Sequence, residues 1–244
     1  MNEAVEYSAM TTARRFLTVV LPLVGAAVFL SACGGSGSSP ALDEEPPLLD
    51  VTPSGSNSAS QSLRDLVFSL PYEDLSAVEL AAIDLMREEE KLARDVYLDL
   101  YDTWGMQIFD NISQSEQTHM DAVLLLIEKY NLDDPAYDAQ RGEFFDATLQ
   151  GLFDSLVAQG TGSTLDALVV GATIEDLDIY DLQRLMADTD NEDVAAVFES
   201  LQKGSRNHLR AFHARLLDQN FIYTPIYISQ DEYDEIVNSP MERG

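Results

Sequence analysis

The sequence predicts an all-α fold: a four-helix bundle, a long crossover containing an extra helix, and a short irregular C-terminal tail. Three observations carry this. Apolar residues recur at steps of three and four over four long stretches, the signature of helices with one buried face. Two Ser/Thr-x-x-Glu patterns, Ser76 with Glu79 and Thr189 with Glu192, stand where such stretches begin. Strand-like composition is confined to Tyr223–Ile228, inside the tail.

The chain opens with a targeting pattern. Arg14 and Arg15 precede an apolar run from Phe16 to Leu30, about fifteen residues long, short for a membrane span and suited to a signal core. Leu30-Ser31-Ala32-Cys33-Gly34 then resembles a bacterial lipobox, which implies cleavage that leaves Cys33 as a lipidated first residue. Residues 1–33 are therefore expected to be a lipoprotein-type signal. The mature protein is then exported and lipid-anchored to the cell envelope, on a periplasmic or extracellular face. Cys33 is the chain's one cysteine, so no disulfide or zinc–thiolate site is available to the domain. The first nine residues are long and acidic for the start of a signal, and Met10 offers an alternative start. Residues 34–62, rich in Gly, Ser and Pro, read as a flexible tether.

The helical domain is expected over 63–220. Its first long helix opens at the Ser76–Glu79 box, runs to about Thr103 and stops near Gly105. Its inward stripe is Val78, Ala82, Met86, Glu90, Ala93, Tyr97 and Leu100. The second runs from about Asn111 to Tyr130, with Ile112, Glu116, His119, Val123, Leu126 and Tyr130 inward. Asn131 to Gly142 reads as a crossover loop, followed by a helix over about Phe144–Gln159. The third long helix, Ser163–Ala187, has the stripe Leu168, Gly171, Glu175, Asp178, Leu182 and Leu185. The fourth follows the Thr189–Glu192 box to about Asp218, with Val194, Val197, Leu201, Ser205, His208 and Phe212 inward. The tail, 221–244, is aromatic and acidic, with a short strand expected over Tyr223–Ile228.

Each long helix thus carries an ionisable residue where its apolar pattern requires a hydrophobic one: Glu90, Glu116 with His119, Glu175 with Asp178, and His208. A buried ionised carboxylate costs several kcal/mol or so unless it is paired or binds a metal. Four such exceptions in register point to a shared site. Four carboxylates and two imidazoles suit Fe(II) or Mn(II), with zinc also accommodated, and two divalent ions would neutralise the acids. The alternatives are local. Glu116 and His119 one turn apart can hydrogen-bond each other, and Glu88-Glu89-Glu90 reads as an acidic run of a solvated face, with Glu89 a rival to Glu90. Glu128 lies off the stripe and reads as surface. Tyr97 reads chiefly as inward packing.

Several blocks carry a resemblance. The span from Glu90 to Tyr97, Glu-Lys-Leu-Ala-Arg-Asp-Val-Tyr, is similar to the first bundle helix of rubrerythrin-type ferritin-like proteins. Glu175 with Asp178 is similar to their third helix, and Arg206-Asn207-His208 to their fourth. Over about Leu75 to Phe212 the chain more closely resembles the DUF2202 family of ferritin-like proteins, through Met86–Tyr97, Ser115–Val123 and Gly204–Phe212. The resemblance implies a ferritin-like bundle and an iron site, in its full form di-iron, with ferroxidase- or peroxidase-like chemistry. It also implies pairing into a homodimer. Ser205 stands where the full site has a glutamate, so one carboxylate is missing and Asp178 is expected to stand in for it. Arg94 and Arg206 are expected to pair with the buried acids. Nothing resembles the iron–sulfur domain that supplies electrons in rubrerythrins.

The formal net charge of −29, from 43 acidic and 14 basic residues, argues against a nucleic-acid partner, which requires a basic footprint. It suits a solvated surface or the attraction of cations.

Overall fold

The structure, a computed structural model, describes residues 61–242; the expected signal, Cys33 and all but the end of the tether lie outside them. Among the described residues there are seven helices and no strand: α1 (Gln61–Ser69), α2 (Ala77–Trp104), α3 (Gln107–Tyr130), α4 (Ala147–Gly160), α5 (Thr164–Ala187), α6 (Glu192–Asp218) and α7 (Gln230–Asn238). The four long helices, α2, α3, α5 and α6, form an all-α bundle in which α2 packs chiefly on α3 and α5 on α6. α4 is the extra helix of the crossover and lies against α2 and α5. None of the described helices is long and apolar enough to cross a membrane.

Local chemistry sets the helix ends. The Ser76–Glu79 capping box is formed on both sides. Gly105 closes α2 in the left-handed region at φ 62, a conformation that glycine adopts without a Cβ penalty, and α3 follows almost at once. α3 therefore begins at Gln107, four residues ahead of the expected Asn111. The second capping box does not form. Thr189 Oγ1 instead donates to Leu185 O at 2.8 Å, at the end of α5. The residues before α6 are held by Glu79, whose Oε1 accepts from Asp190 N–H and Asn191 N–H. One carboxylate thereby ties the starts of α2 and α6 together. Val78, placed on the inward stripe by its spacing, is 49% exposed, and the buried face of α2 begins at Glu79 and Ala82.

The acidic run of α2 is not a solvated face: Glu88, Glu89 and Glu90 are all buried. Glu88 accepts from the backbone N–H groups of Phe145 and Asp146. Its neighbours anchor the same crossover. Arg87 binds Asp134 through two nitrogens and donates to Met120 O. Lys91 donates to Asp95 at 2.6 Å and Gln140 O at 2.7 Å, with its ammonium over the Phe144 ring. Long polar side chains at helix positions that face a loop replace the hydrogen bonds that irregular backbone lacks.

Two elements go beyond the expected fold. α1 packs Leu63 and Val67 into the core, and Lys129 holds its end: it donates to the carbonyls of Val67, Leu70 and Pro71 and pairs with buried Asp193 at 2.6 Å. The tail is not a strand followed by irregular chain. Asp176 of α5 gathers the N–H groups of Ile226, Tyr227 and Ile228 and the hydroxyl of Tyr223, and this leads the chain into α7.

Candidate metal centre

The bundle brings residues from all four long helices to one dry region. Glu90 comes from α2, Glu116 and His119 from α3, Glu175 and Asp178 from α5, and His208 from α6. Five of these are at most 2% exposed; His208, at 8%, is the most open. Two of the chain's three histidines stand here, their rings 5.3 Å apart between centroids and nearly parallel.

Glu116 occupies the middle. Its Oε2 lies 2.7 Å from His119 Nδ1 and its Oε1 2.9 Å from His208 Nδ1. Neither approach has the direction of a hydrogen bond, and both Glu116 oxygens and His208 Nδ1 are left without a hydrogen-bond partner. His119 Nδ1 is also 3.1 Å from Glu90 Oε2, a contact that is well directed, and His208 Nδ1 is 3.4 Å from Glu175 Oε2. Glu116, His119 and His208 each offer one atom within 4.8 Å of the others, the spacing of ligands around one cation.

Seven buried side-chain atoms among the described residues have no hydrogen-bond partner: Glu89 Oε2, Glu90 Oε1, both oxygens of Glu116, Glu175 Oε2, Asp178 Oδ2 and His208 Nδ1. All belong to this centre or border it. A buried acceptor left unsatisfied costs about 1–3 kcal/mol, more when charged, so a group of them in one place fits a cation and fits a plain hydrogen-bonded network poorly.

Electrostatics agree. Burial pushes the Glu90 carboxyl up to about 8, against the opposing pull of His119. Burial opposes protonation of His208, but Glu116 and Glu175 outweigh it and raise the imidazole to about 9. His119 is raised for the same reason, by Glu116 and Glu90. Burial would raise Glu116, yet His208 and His119 hold it well below the usual carboxylate range. Asp178 is raised by burial and by the carboxylates of Glu90, Glu175, Glu89 and Glu116. Without a divalent ion, the imidazoles and Glu90 keep protons to limit the repulsion.

The outer contacts orient the donor atoms. Tyr97 donates its O–H to Glu175 Oε1 at 2.5 Å, so this inward aromatic has a polar function besides packing on Phe109 and Phe212. His208 Nε2 is 2.9 Å from Ser115 Oγ, which turns Nδ1 inward. Ser115 escaped the sequence reading because a serine one residue before the Glu116–His119 pair carries no pattern of its own. Gly204 was equally silent: a Cβ there would stand 2.2 Å from His119 Nε2, so α6 has a glycine where that ring lies against it. A glycine inside a helix costs about 1 kcal/mol, and that cost was the available signal. Gly204→Ala is expected to leave the helix intact but displace the ring, at a strain of about 1–3 kcal/mol. Metal titration beside a melting curve checks this: affinity falls, while the melting temperature drops by only a few degrees because alanine regains about 1 kcal/mol of helix propensity.

Other expected neighbours lie elsewhere. Arg94 binds Asp95 and Gln117, and Arg206 binds Glu242 and Gln202; neither contacts the six central residues. In both cases the guanidinium is taken up by an acid and an amide outside the centre. Ser205 is buried and donates to Leu201 O one turn back, so α6 supplies one donor to the centre, His208. Glu128 pairs with Arg64 at the surface.

Comparison with known proteins places the chain in a family. The chain is 53% identical over 180 residues to the uncharacterised protein MJ0754 of Methanocaldococcus jannaschii, covering 74% of this chain and 97% of that one. The crystal structure of hypothetical protein MJ0754 from the same organism superposes with a TM-score of 0.70 at 54% identity, over 71% of this chain and 99% of the other. Residues 79–240, which contain all six central side chains, match the family described as uncharacterized protein domain DUF2202, and the chain belongs to that family.

Proposed function

We propose that the protein binds a divalent transition-metal ion inside its bundle, through the carboxylates of Glu90, Glu116 and Glu175 and Nδ1 of His119 and His208. The observation that carries this is the set of buried atoms around Glu116 that lack a directed hydrogen bond, with Glu116 itself set between two imidazoles at ion-pair distance. Mixed carboxylate and imidazole donors favour iron or manganese, and zinc fits the same set. The likeness to ferritin-like proteins supports iron first. When bound, such an ion supplies Lewis acidity and, for iron or manganese, one-electron redox chemistry. The chain's own contribution is to fix the donors: Tyr97 holds Glu175, Ser115 holds His208, and the closed packing of α3 on α6 keeps water from His119.

Asp178 favours a second, more demanding reading. Its buried, unpartnered Oδ2 feels both Glu90 and Glu175, so four carboxylates are available and two divalent ions would balance them. A dinuclear iron centre with ferroxidase- or peroxidase-like turnover follows, drawing on an external reductant. Elemental analysis of protein purified without a chelating tag separates the readings. One ion per chain and no oxidation of added Fe(II) support the mononuclear binder. Two irons with Fe(II) oxidation or peroxide consumption support the dinuclear enzyme. No metal from any preparation, with no rise in melting temperature on adding Fe(II), Mn(II) or Zn(II), sinks both.

We also propose that export and lipidation at Cys33 tether this centre at the cell envelope. Cys33→Ser should release the protein from the membrane fraction; retention in that fraction would rule the anchor out.

A further inference from the structure

Residues 239–242 follow α7 without regular structure and without a buried apolar side chain: Pro240 is exposed, Met241 is 55% exposed, and Ser239 and Glu242 are half-buried. Three side chains of α6 hold this segment: Arg206, Asn207 and Arg210. Arg206 donates Nε to Glu242 Oε1 at 2.7 Å and Nη2 to Oε2, the two-pronged fork that fits a carboxylate. Arg210 Nη2 adds a third donor to Oε1 at 2.9 Å. Asn207 meets the main chain of the same residue. Its Oδ1 accepts from Glu242 N–H at 2.9 Å, and its Nδ2 donates to Glu242 O at 3.0 Å. The carboxylate, N–H and C=O of one glutamate are thus all recognised, while the neighbouring Pro240 and Met241 take no part.

The clamp has supports of its own. Arg210 is buried and donates Nε to Ile236 O and Nη1 to Asn207 Oδ1, and Arg206 Nη1 donates to Gln202 Oε1. α7, which supplies that carbonyl, is fixed in the core by Tyr233 and Ile236. The receptor is therefore built into the fold, whereas its occupant is held by polar contacts at a half-exposed rim. A buried guanidinium without an acidic partner is unfavourable, so a clamp that Glu242 has left requires another carboxylate. A cavity of about 440 Å³ opens beside it, walled by Gln183 of α5, Glu232, Glu235 and Ile236 of α7 and the segment itself. That space accommodates residues on either side of an incoming glutamate. None of the three clamp residues hydrogen-bonds to the six side chains of the metal centre, so the site stands or falls apart from the metal reading.

We propose that Arg206, Asn207 and Arg210 form a recognition site for a peptide segment carrying a glutamate between two peptide bonds, with Glu242 as its built-in competitor. The tethered Glu242 acts at a high effective concentration. An external segment binds only those molecules in which residues 239–242 have lifted, and its apparent affinity falls by that fraction. Asn207 makes the site selective for a peptide over a free anion, since a simple carboxylate or phosphate offers nothing to its paired donor and acceptor. Glu232 and Glu235 on the cavity wall disfavour a ligand with several acids.

The probe is a labelled peptide blocked at both ends, Asn-Ser-Pro-Met-Glu-Arg-Gly, the sequence of residues 238–244, titrated against the full chain by fluorescence anisotropy. Glu242→Ala is expected to bind it about tenfold more tightly than the parent. A peptide with glutamine in place of glutamate should bind about 10–100-fold more weakly, for loss of the charge-assisted bonds. Adding Arg206→Gln to Glu242→Ala should cancel the gain. No binding to Glu242→Ala, equal affinity for the two peptides, or a gain that survives Arg206→Gln overturns the site. Displacement of the peptide by inorganic phosphate or acetate at matching concentration would make the clamp a plain anion site and also overturn it. A measurement on the parent needs no variant: excess peptide should shift the NMR signals of the Asn207 side-chain amide and of residues 239–242, and unchanged signals there sink the proposal. Once the peptide binds, sedimentation of Glu242→Ala mixed with Arg206→Gln names its source. Association of this mixture assigns the segment to a second copy of the chain, and a monomeric mixture assigns it to another protein.

Discussion

Glu116→Ala is expected to abolish specific metal binding, and with it the protons that binding expels. The residue presents one oxygen to each imidazole, at 2.7 and 2.9 Å, so its loss removes the donor between the two histidines. Loss of an outer partner of a ligand typically costs 10–100-fold in affinity, and loss of a central ligand should cost at least about 100-fold. The proton count gives an independent check. With His208 raised to about 9 and Glu90 to about 8, and His119 raised as well, the metal-free centre holds several protons at neutral pH. A cation must displace them. Apparent affinity in the parent should therefore climb as pH rises from about 6 toward 9, because fewer protons compete for the donors. Calorimetry in two buffers of different ionisation enthalpy reads the protons released per ion. Release of more than one proton by the parent and none by Glu116→Ala is the expected pair of results. Parent-like affinity in the variant would remove Glu116 from the centre.

Much of this centre was legible because its residues violate a strong pattern. Glu90, Glu116, His119, Glu175, Asp178 and His208 occupy inward positions on helices whose other inward residues are apolar, and helical period alone exposes the conflict. What period cannot supply is the partner across space. Arg94 and Arg206 are good partners for buried acids in general, but each met a closer one, Asp95 and Glu242 respectively. Glu88, Glu89 and Glu90 look alike in a row, yet at 100° per residue Glu88 meets the crossover loop and Glu90 the bundle centre. Thr189 and Glu192 have the right spacing for a cap, but the hydroxyl served the helix behind it, and Glu79 from another helix holds the two residues that lead into α6. α1 was hidden by its brevity, since Leu63 and Val67 are too few apolar residues to establish a period beside a Ser-rich tether.

The tail was the least legible part, and a single side chain explains why. Asp176→Ala is expected to undock residues 221–242 and to destabilise the protein by about 3–5 kcal/mol. The carboxylate accepts from Ile226 N–H at 2.6 Å, Ile228 N–H at 2.9 Å, Tyr227 N–H at 3.2 Å and the Tyr223 hydroxyl at 2.9 Å. These partners lie about fifty residues away in sequence, so no local motif announces them. With the carboxylate gone, three backbone N–H groups lose their acceptor in a place that the side chain of alanine cannot fill, and the buried Tyr223 hydroxyl keeps only the longer contact to Thr173 Oγ1 at 3.3 Å. The loss is a large fraction of a stability that totals about 5–15 kcal/mol for a typical domain, and a melting temperature lower by roughly 10 °C should follow. Proteolysis should then cut first between Phe221 and Ser229, ahead of α7. The effect should reach α6, because the tail also docks through Arg210 to Ile236 O and through Glu242 to Arg206 and Arg210. Those arginines flank His208, the most open member of the centre, so an undocked tail should speed metal exchange without lowering the number of ions bound. Asp176→Asn retains one acceptor oxygen and should fall between the two. An unchanged melting temperature with no new cleavage in Asp176→Ala would show that the tail is held by Tyr223, Ile228, Tyr233 and Ile236 in the apolar core, and that the carboxylate merely occupies the space between them.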